Sequence, residues 1–183
     1  MTWMDRWIQQ KRFNQVIPNI PRDSIVLDIG CHQGELFKSM GTRLKSGFGI
    51  DPLLSKTIKN PLFTLIKGHF PNDWNIKTEL HCITMLAVLE HITKEQQQLL
   101  VNQIFNLLSP GGLAILTVPS IKTERLLKLL SRMRLIQGMS LKEHYGYDPE
   151  DTCMLFEKAG FILLKHQTFE WGLNNLFVFR SIK

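Results

Sequence analysis

The chain has 183 residues, of which 44% are hydrophobic and 21% charged, and its formal net charge is +6. These values are typical of one globular domain and exclude global disorder. The longest nearly apolar run, Ile83 to Leu89, is far shorter than the ~20 residues of a membrane-spanning helix, so no span is expected.

The N-terminus and the cysteines indicate a cytoplasmic protein. Charged residues interrupt the first apolar stretch, so it does not resemble a secretion signal. The three cysteines, Cys31, Cys82 and Cys153, lie far apart and form no CxxC pair. This spacing fits a reducing compartment and predicts neither a disulfide framework nor a metal site.

The periodicity of apolar residues predicts a single domain over 1–183 that begins with a helical segment over 1–21. Helices are expected over about 3–16, 34–45, 94–108 and 149–159, and strands over 24–29, 47–51, 62–67, 80–89, 113–118, 161–167 and 176–180. Strands that alternate with helices predict a doubly wound α/β sheet of seven mostly parallel strands, with helices on both faces. The last two strands have no helix between them, which predicts one antiparallel edge strand.

A basic segment follows the fifth strand. Between Lys122 and Arg134, basic residues recur at helical steps among leucines. We interpret this pattern as the solvated face of an amphipathic helix. Contact with an anionic substrate, a lipid headgroup or a nucleic acid is the alternative.

Ligands of open parallel sheets bind beyond the carboxyl ends of the strands, so the residues that follow the strands deserve attention. The first strand runs through Asp28 into a loop that contains Gly30 and Gly34, and the second strand ends at Asp51. A carboxylate in the position of Asp51 can accept both hydroxyls of a ribose. The layout indicates an adenosine-like nucleotide, but the glycine spacing is not that of a dinucleotide site and no P-loop occurs.

Five segments resemble the successive motifs of S-adenosylmethionine-dependent methyltransferases with a Rossmann-like fold, in the order of that family. They are VLDIGC from Val26, GIDP from Gly49, MLAVLEHI from Met85, LSPGGLAIL from Leu108 and LFEKAGF from Leu155. The resemblance covers roughly residues 24 to 180 and is strongest to the small-molecule methyltransferases.

The resemblance implies a role for each matching position. Asp28 and Gly30 would hold the methionine end of the cofactor, Asp51 would take the ribose hydroxyls, and Leu86 and Ala87 would lie near the reacting methyl group. The remaining cofactor-binding candidates are neighbours of these positions in the same motifs: Cys31, His32, Gly34, Pro52, His69 and Phe70. His69 and Phe70 would flank adenine.

Three histidines depart from the family pattern. His32 replaces the middle glycine of the first motif, His69 replaces the acid near adenine, and His81 replaces an acid that opens the fourth strand. Because a side chain at position 32 stands beside a close backbone approach, His32 either strains the loop or contacts the ligand.

Other polar residues have weaker assignments. Glu90 and His91 are expected to open a helix and to be structural, and Cys31 and Cys82 are expected to be small buried side chains. Residues 120–148 correspond to the stretch that overhangs the acceptor in this family, a substrate-side lid insertion. His144 and Tyr145 within it are the candidates for a general base, although packing of the loop explains them equally well.

The resemblance therefore implies methyl transfer from S-adenosylmethionine, which becomes S-adenosylhomocysteine, to a small-molecule acceptor by in-line displacement. Two alternatives are an RNA methyltransferase, which the basic charge favours, and a catalytically silent cofactor-binding protein, which the three histidines favour. The chain lacks the Asn/Asp-Pro-Pro-aromatic loop that resembling enzymes use on the exocyclic amines of bases. Substitution of Asp51 by alanine is expected to weaken cofactor binding by about 1.5–3 kcal/mol and to leave folding nearly unchanged.

Overall fold

The computed structural model describes residues 3–120 and 149–183. The helices are α1 (Trp3–Val16), α2 (Glu35–Met40), α3 (Lys94–Leu107) and α4 (Asp151–Lys158). The strands are β1 (Ser24–Ile29), β2 (Leu44–Asp51), β3 (Ile58–Lys59), β4 (Phe63–Lys67), β5 (Leu80–Leu86), β6 (Leu108–Pro119), β7 (Phe161–Phe169) and β8 (Asn174–Ser181). Within the described residues, no helix has the length and apolarity required to cross a bilayer.

The eight strands form one sheet in the order β3-β4-β2-β1-β5-β6-β8-β7. The pairs β2–β4, β1–β2, β1–β5 and β5–β6 are parallel. This arrangement confirms the predicted doubly wound α/β fold. Because these five strands run in the same direction, their carboxyl ends lie along a single edge of the sheet, which we call the carboxyl edge.

The sheet has one strand more than the sequence predicted. The additional strand, β3, has two residues and pairs antiparallel with β4. Asn60 creates the turn between them, because its Oδ1 accepts hydrogen bonds from the backbone N–H groups of Leu62 and Phe63 at 2.9 and 2.8 Å. A pair of residues is too short to show an alternating pattern, so the periodicity could not reveal it.

As predicted, the last two strands form an antiparallel pair at one end of the sheet. The strand that runs antiparallel to its neighbours is an inner strand, however, and not the edge strand. β8 lies between β6 and β7 and is antiparallel to both. Its residues are almost all buried, whereas those in the middle of β7 are exposed. Burial explains the order, since the more apolar strand takes the inner position and the more polar strand becomes the edge.

The core has a layer on each face of the sheet, and different helices cover them. On one face α1 contributes Phe13 and Val16, which belong to the same apolar cluster as Phe37 of α2. On the other face α3 and α4 contribute Leu100, Val101, Ile104 and Phe156 to the second cluster. The N-terminal helix is therefore an integral part of the layer that covers β6 and β8.

The basic segment and the predicted lid insertion over 120–148 lie outside the described residues, apart from Ser120. His144 and Tyr145 fall in the same stretch, so their assignment as base candidates stays a prediction.

Candidate active site

The structure brings most of the predicted residues together at the carboxyl edge. Asp28 lies near the end of β1, Asp51 at the end of β2, and Leu86 at the end of β5. Since β1 pairs with both β2 and β5, these three ends are neighbours in the middle of the sheet. The loop from Gly30 to Gly34 begins between them.

Two backbone amides hold the carboxylate of Asp51. Its Oδ2 accepts a hydrogen bond from the N–H of His32, and its Oδ1 accepts one from the N–H of Leu53, both at 2.8 Å. The residue is only 6% exposed. Each carboxylate oxygen keeps a further lone pair, so this fixed carboxylate can still accept hydroxyl donors.

These contacts lead us to replace the expectation that folding would be indifferent to Asp51. The carboxylate joins the loop after β1 to the turn after β2, and its removal would leave two amides without their acceptor. An unsatisfied donor in a largely buried place destabilises the fold. The motif alone could not reveal this, because the donors are backbone groups on two separate loops.

Asp28 is buried beside a hydroxyl group. It lies opposite Thr84 in the register of β1 and β5, and Thr84 Oγ1 donates a hydrogen bond to Asp28 Oδ1 at 2.6 Å. Burial raises the pKa of Asp28 to about 7, the hydrogen bond from Thr84 opposes this shift, and the negative charge of Asp51 adds to it. The carboxyl group can therefore exchange a proton near neutral pH.

Gly30 permits a close approach between two loops. Its φ is +78°, and a Cβ atom at this position would lie 2.5 Å from Cγ2 of Val88, which follows β5. The glycine therefore allows the loop after β5 to pack against the loop after β1. Gly34, with φ +72°, precedes α2 directly.

His32 adopts the backbone conformation of the glycine that it replaces. Its φ is +46°, a region in which a residue with a Cβ is strained. Its side chain is about half exposed, and Nδ1 lies 3.1 Å from Oε1 of Glu35. Both side chains line an open cleft of about 490 Å³ between α1 and α2, together with Arg6 and Lys38.

Cys31 points its side chain into the core. Its Sγ would lie 2.5 Å from a Cβ atom at Gly49, and the residue belongs to the apolar cluster on the α1 face. Burial raises the pKa of the Cys31 thiol, and Cys82 is buried in the same way. The expectation of small buried side chains is confirmed, which leaves the backbone of Cys31 as the part that can face a ligand.

The residues expected around the adenosine lie on exposed turns. Pro52 follows Asp51 at the surface, and His69 is exposed after β4. The N–H of His69 donates to Oδ2 of Asp73 at 2.7 Å, which fixes this turn. Phe70 is half buried and packs against the apolar cluster on the α3 face, so only part of its ring is available to a ligand.

Leu86 ends β5 at the centre of the carboxyl edge and Ala87 follows it, and both are half buried. Ala87 has a φ of +58°, and its N–H donates to the carbonyl oxygen of Thr117 at 2.9 Å. A strained non-glycine residue at the end of a parallel strand is typical of a functional site.

His81 takes no part in this site. It lies near the beginning of β5, at the opposite end of the strand from Leu86. Its Nδ1 accepts a hydrogen bond from the N–H of Ile25 at 3.3 Å, beside an irregularity in the pairing of β1 with β2. The histidine thus has a structural role at the end of the sheet opposite to the site.

Sequence reasoning missed a group of polar residues next to Leu86. Arg12 of α1 and Glu170 of the turn between β7 and β8 received no assignment, although Glu90 was considered. Glu90 lies in a short 3-10 turn over Leu89–His91, and burial raises its pKa to about 7. Arg12 is also largely buried. Burial lowers its pKa, and the negative charges of Glu90 and Glu170 oppose this shift. The one available signal was an arginine beside Phe13 on the buried side of α1.

No group of three or more His, Cys, Asp or Glu side chains within residues 6–120 and 149–183 could hold a metal ion. The donor set at the carboxyl edge suits a nucleoside better. It combines the fixed carboxylate of Asp51, the protonatable carboxyl of Asp28 and loop backbone between two glycines. These groups fit the ribose and the amino acid portion of S-adenosylmethionine.

The comparisons with known proteins agree with this fit. The sequence model of a family described as a methyltransferase domain matches residues 3–166. No curated protein sequence matches the chain significantly.

Several solved structures share the fold. Magnesium protoporphyrin IX methyltransferase (ChlM) from Synechocystis PCC 6803, with bound S-adenosylhomocysteine, has a TM-score of 0.69 and 16% identity, over 99% of this chain and 88% of that chain. The N-methyltransferase NodS from Bradyrhizobium japonicum WM9, in complex with S-adenosylhomocysteine, has a TM-score of 0.67 and 14% identity, over 95% and 87%. A chain in the Haloferax volcanii complex of the Trm112 methyltransferase activator has a TM-score of 0.71 and 11% identity, over 96% and 89%.

At these identities the solved structures demonstrate the common fold, and the family model identifies the activity. The model spans α1, the strands from β1 to β6 and the first part of β7, including all the described residues that the sequence predicted for the site. The chain belongs to the methyltransferase-domain family and is an enzyme, an S-adenosylmethionine-dependent methyltransferase with a Rossmann-like fold.

Proposed function

We propose that this enzyme methylates a small-molecule acceptor at the carboxyl edge of its sheet, with the acceptor bound beyond the end of β5. The observation that carries the proposal is the Asp51 carboxylate, which two backbone amides hold in place before any ligand binds. A carboxylate fixed in this way loses little freedom when it binds a ribose.

Each residue at the edge receives a role in this proposal. Asp51 and Pro52 bind the ribose, and His69 and Phe70 flank the adenine. Leu86 and Ala87 lie beside the reacting methyl group. The loop residues bind the methionine portion of the cofactor, with Asp28 as a hydrogen-bond partner: Gly30, Cys31 through its backbone, His32 and Gly34.

When bound, S-adenosylmethionine supplies a methyl group on a good leaving group. The contribution of the protein is then mainly orientation, which can lower a barrier by several kcal/mol, up to about 7–11 in well-aligned cases. The strained Ala87 and the contact between Gly30 and Val88 fix the loops on either side of the reacting position. The three free cysteines support a reducing compartment such as the cytoplasm.

Calorimetric titration of the full chain with S-adenosylhomocysteine tests the cofactor site. We expect saturable binding in the parent, weaker binding in Asp51→Asn, and unchanged binding in Asn60→Ala. Asn60 is a suitable control because it also accepts two backbone N–H groups, in an exposed turn after β3. Absence of binding in the parent at millimolar ligand would refute the site assignment.

Transfer of a labelled methyl group tests the acceptor class. The enzyme is incubated with labelled S-adenosylmethionine and separate pools of small metabolites, total RNA and unfolded protein. We expect label in the small-molecule pool. Label confined to RNA or to protein would show that the acceptor is macromolecular.

A further inference from the structure

A buried polar cluster adjoins the proposed methyl-transfer position. Its members are Arg12 of α1, Glu90 of the 3-10 turn after β5, Thr117 of β6 and Glu170 of the β7–β8 turn. Thr117 lies opposite Leu86 in the register of β5 and β6, and its carbonyl oxygen binds the N–H of Ala87. α1 and the 3-10 turn both contact β6, so the cluster lies where these elements meet.

Each member of the buried polar cluster has a buried polar atom without a hydrogen-bond partner. They are Arg12 Nε, Glu90 Oε2, Thr117 Oγ1 and Glu170 Oε1, and the described residues contain only two other such atoms, Arg43 Nε and Trp74 Nε1. Glu90 is the most enclosed of the charged members, at 2% exposure. Buried polar atoms are nearly always paired, so four unpaired atoms on neighbouring elements indicate a missing partner.

The charged groups of the cluster do not satisfy one another. The negative charges of Glu90 and Glu170 both raise the pKa of the Arg12 guanidinium, against the larger effect of burial. Even so, the ion pairs found among the side chains of residues 6–120 and 149–183 are His32–Glu35 and Lys94–Asp151. Arg12 is thus close enough to each carboxylate to interact with it and too far from both for direct contact, an arrangement that suits a bridging ligand.

The chemistry of the unpaired atoms restricts the ligand. The two unpaired carboxylate oxygens require hydrogen-bond donors. Because the cluster has two carboxylates and only one guanidinium, its net negative charge favours a positively charged ligand. The hydroxyl of Thr117 can donate or accept, and Arg12 Nε requires one acceptor atom. A small protonated amine that carries an oxygen atom nearby provides this combination. Glu170 is oriented for it, because Asn174 Nδ2 already binds its other oxygen, Oε2.

We propose that the buried polar cluster binds the methyl acceptor through its amine, with Glu90 as the group that takes the proton of the ammonium, so that the enzyme is an N-methyltransferase of small amines. The inference rests on the proposed function. After Glu90 has taken the proton, the nitrogen lone pair forms the new N–C bond. The bond between methyl and sulfur breaks at the same time, and sulfur keeps that electron pair.

The burial of Glu90 agrees with this role. Desolvation is the largest cause that raises its pKa to about 7, and the charge of Arg12 opposes the rise. A carboxylate whose pKa lies near neutrality is an effective proton acceptor at physiological pH.

Titration of the full chain, with and without saturating S-adenosylhomocysteine, tests the cluster with matched probes. Ethanolamine is compared with ethylene glycol and glycine with glycolate, since each pair differs in the amine alone. We expect the amines to bind at least tenfold more tightly than their partners. Equal affinity within both pairs, or no binding of either amine, would overturn the inference.

Glu90→Gln and Glu170→Gln test the two carboxylates, and Glu157→Gln, in an exposed position of α4, is the matched control. Both cluster variants should bind ethanolamine or glycine at least tenfold more weakly, keep the parent affinity for S-adenosylhomocysteine and lose methylated amine as a product. Thermal unfolding shows whether each variant folds. Unchanged amine affinity in two folded cluster variants would overturn the inference, whereas loss of S-adenosylhomocysteine binding in the parent would overturn the proposed function instead.

Discussion

Replacement of Asp51 by alanine should destabilise the protein as well as weaken cofactor binding. The carboxylate accepts two backbone hydrogen bonds of 2.8 Å, from His32 and Leu53. A hydrogen bond to a charged group contributes about 1.5–3 kcal/mol, so two lost bonds set an upper range of about 3–6 kcal/mol. Because water can reach these loops once the carboxylate is gone, we expect the free energy of unfolding to fall by about 2–4 kcal/mol.

Urea denaturation followed by fluorescence measures this loss, with Asp51→Asn and Asn60→Ala beside it. The asparagine variant keeps one acceptor oxygen and should lose an intermediate amount. Asn60→Ala removes an uncharged acceptor in an exposed turn and should cost less than Asp51→Ala. If Asp51→Ala unfolds at the same urea concentration as the parent, the two hydrogen bonds carry no stability and the reasoning is refuted.

Three further outcomes are expected. Gly30→Ala should lower the free energy of unfolding, measured in urea, by about 1–3 kcal/mol. The new Cβ would collide with Val88 Cγ2, and the positive φ is unfavourable for alanine. An unchanged free energy would mean that the two loops can move apart freely. His81→Leu should cost about 1 kcal/mol through the lost acceptor for Ile25 and leave the calorimetric affinity for S-adenosylhomocysteine unchanged; a weaker affinity would show that His81 acts on the site. The pKa of Asp28 rises from 3.8 to about 7 on folding, so the native state binds the proton of this carboxyl group more tightly than the unfolded state does. The protonated carboxyl therefore stabilises the native state below pH 4, and this contribution is lost as the pH rises through 7. Asp28→Asn should therefore reduce the loss of stability between pH 5 and pH 8 in urea titrations, and an unaltered pH profile would exclude Asp28 as its source.

The sequence by itself determined the fold class and predicted the candidate site residues. Alternating apolar runs defined the strands, and the glycines and acids that follow them predicted where a nucleoside would bind. These features can be found in short segments of the sequence. The carboxyl ends of parallel strands lie at one edge of the sheet whatever the details of packing, so residues that follow different strands are expected to be neighbours. Asp28 and Asp51 could therefore be predicted from their positions relative to the strands, whereas the family resemblance implied Leu86. The structure places all three on adjacent strand ends.

Tertiary structure decided what the side chains at those positions contact. Asp51 supports two loops through backbone donors, and His81 completes the pairing at the far end of the sheet. Arg12, Glu90 and Glu170 come from three distant parts of the chain, and only the packing of α1 onto β6 and β8 brings them together. Long-range contacts of this kind leave no periodic signal in the sequence, because the position of each residue depends on how separate elements pack rather than on its neighbours in the chain.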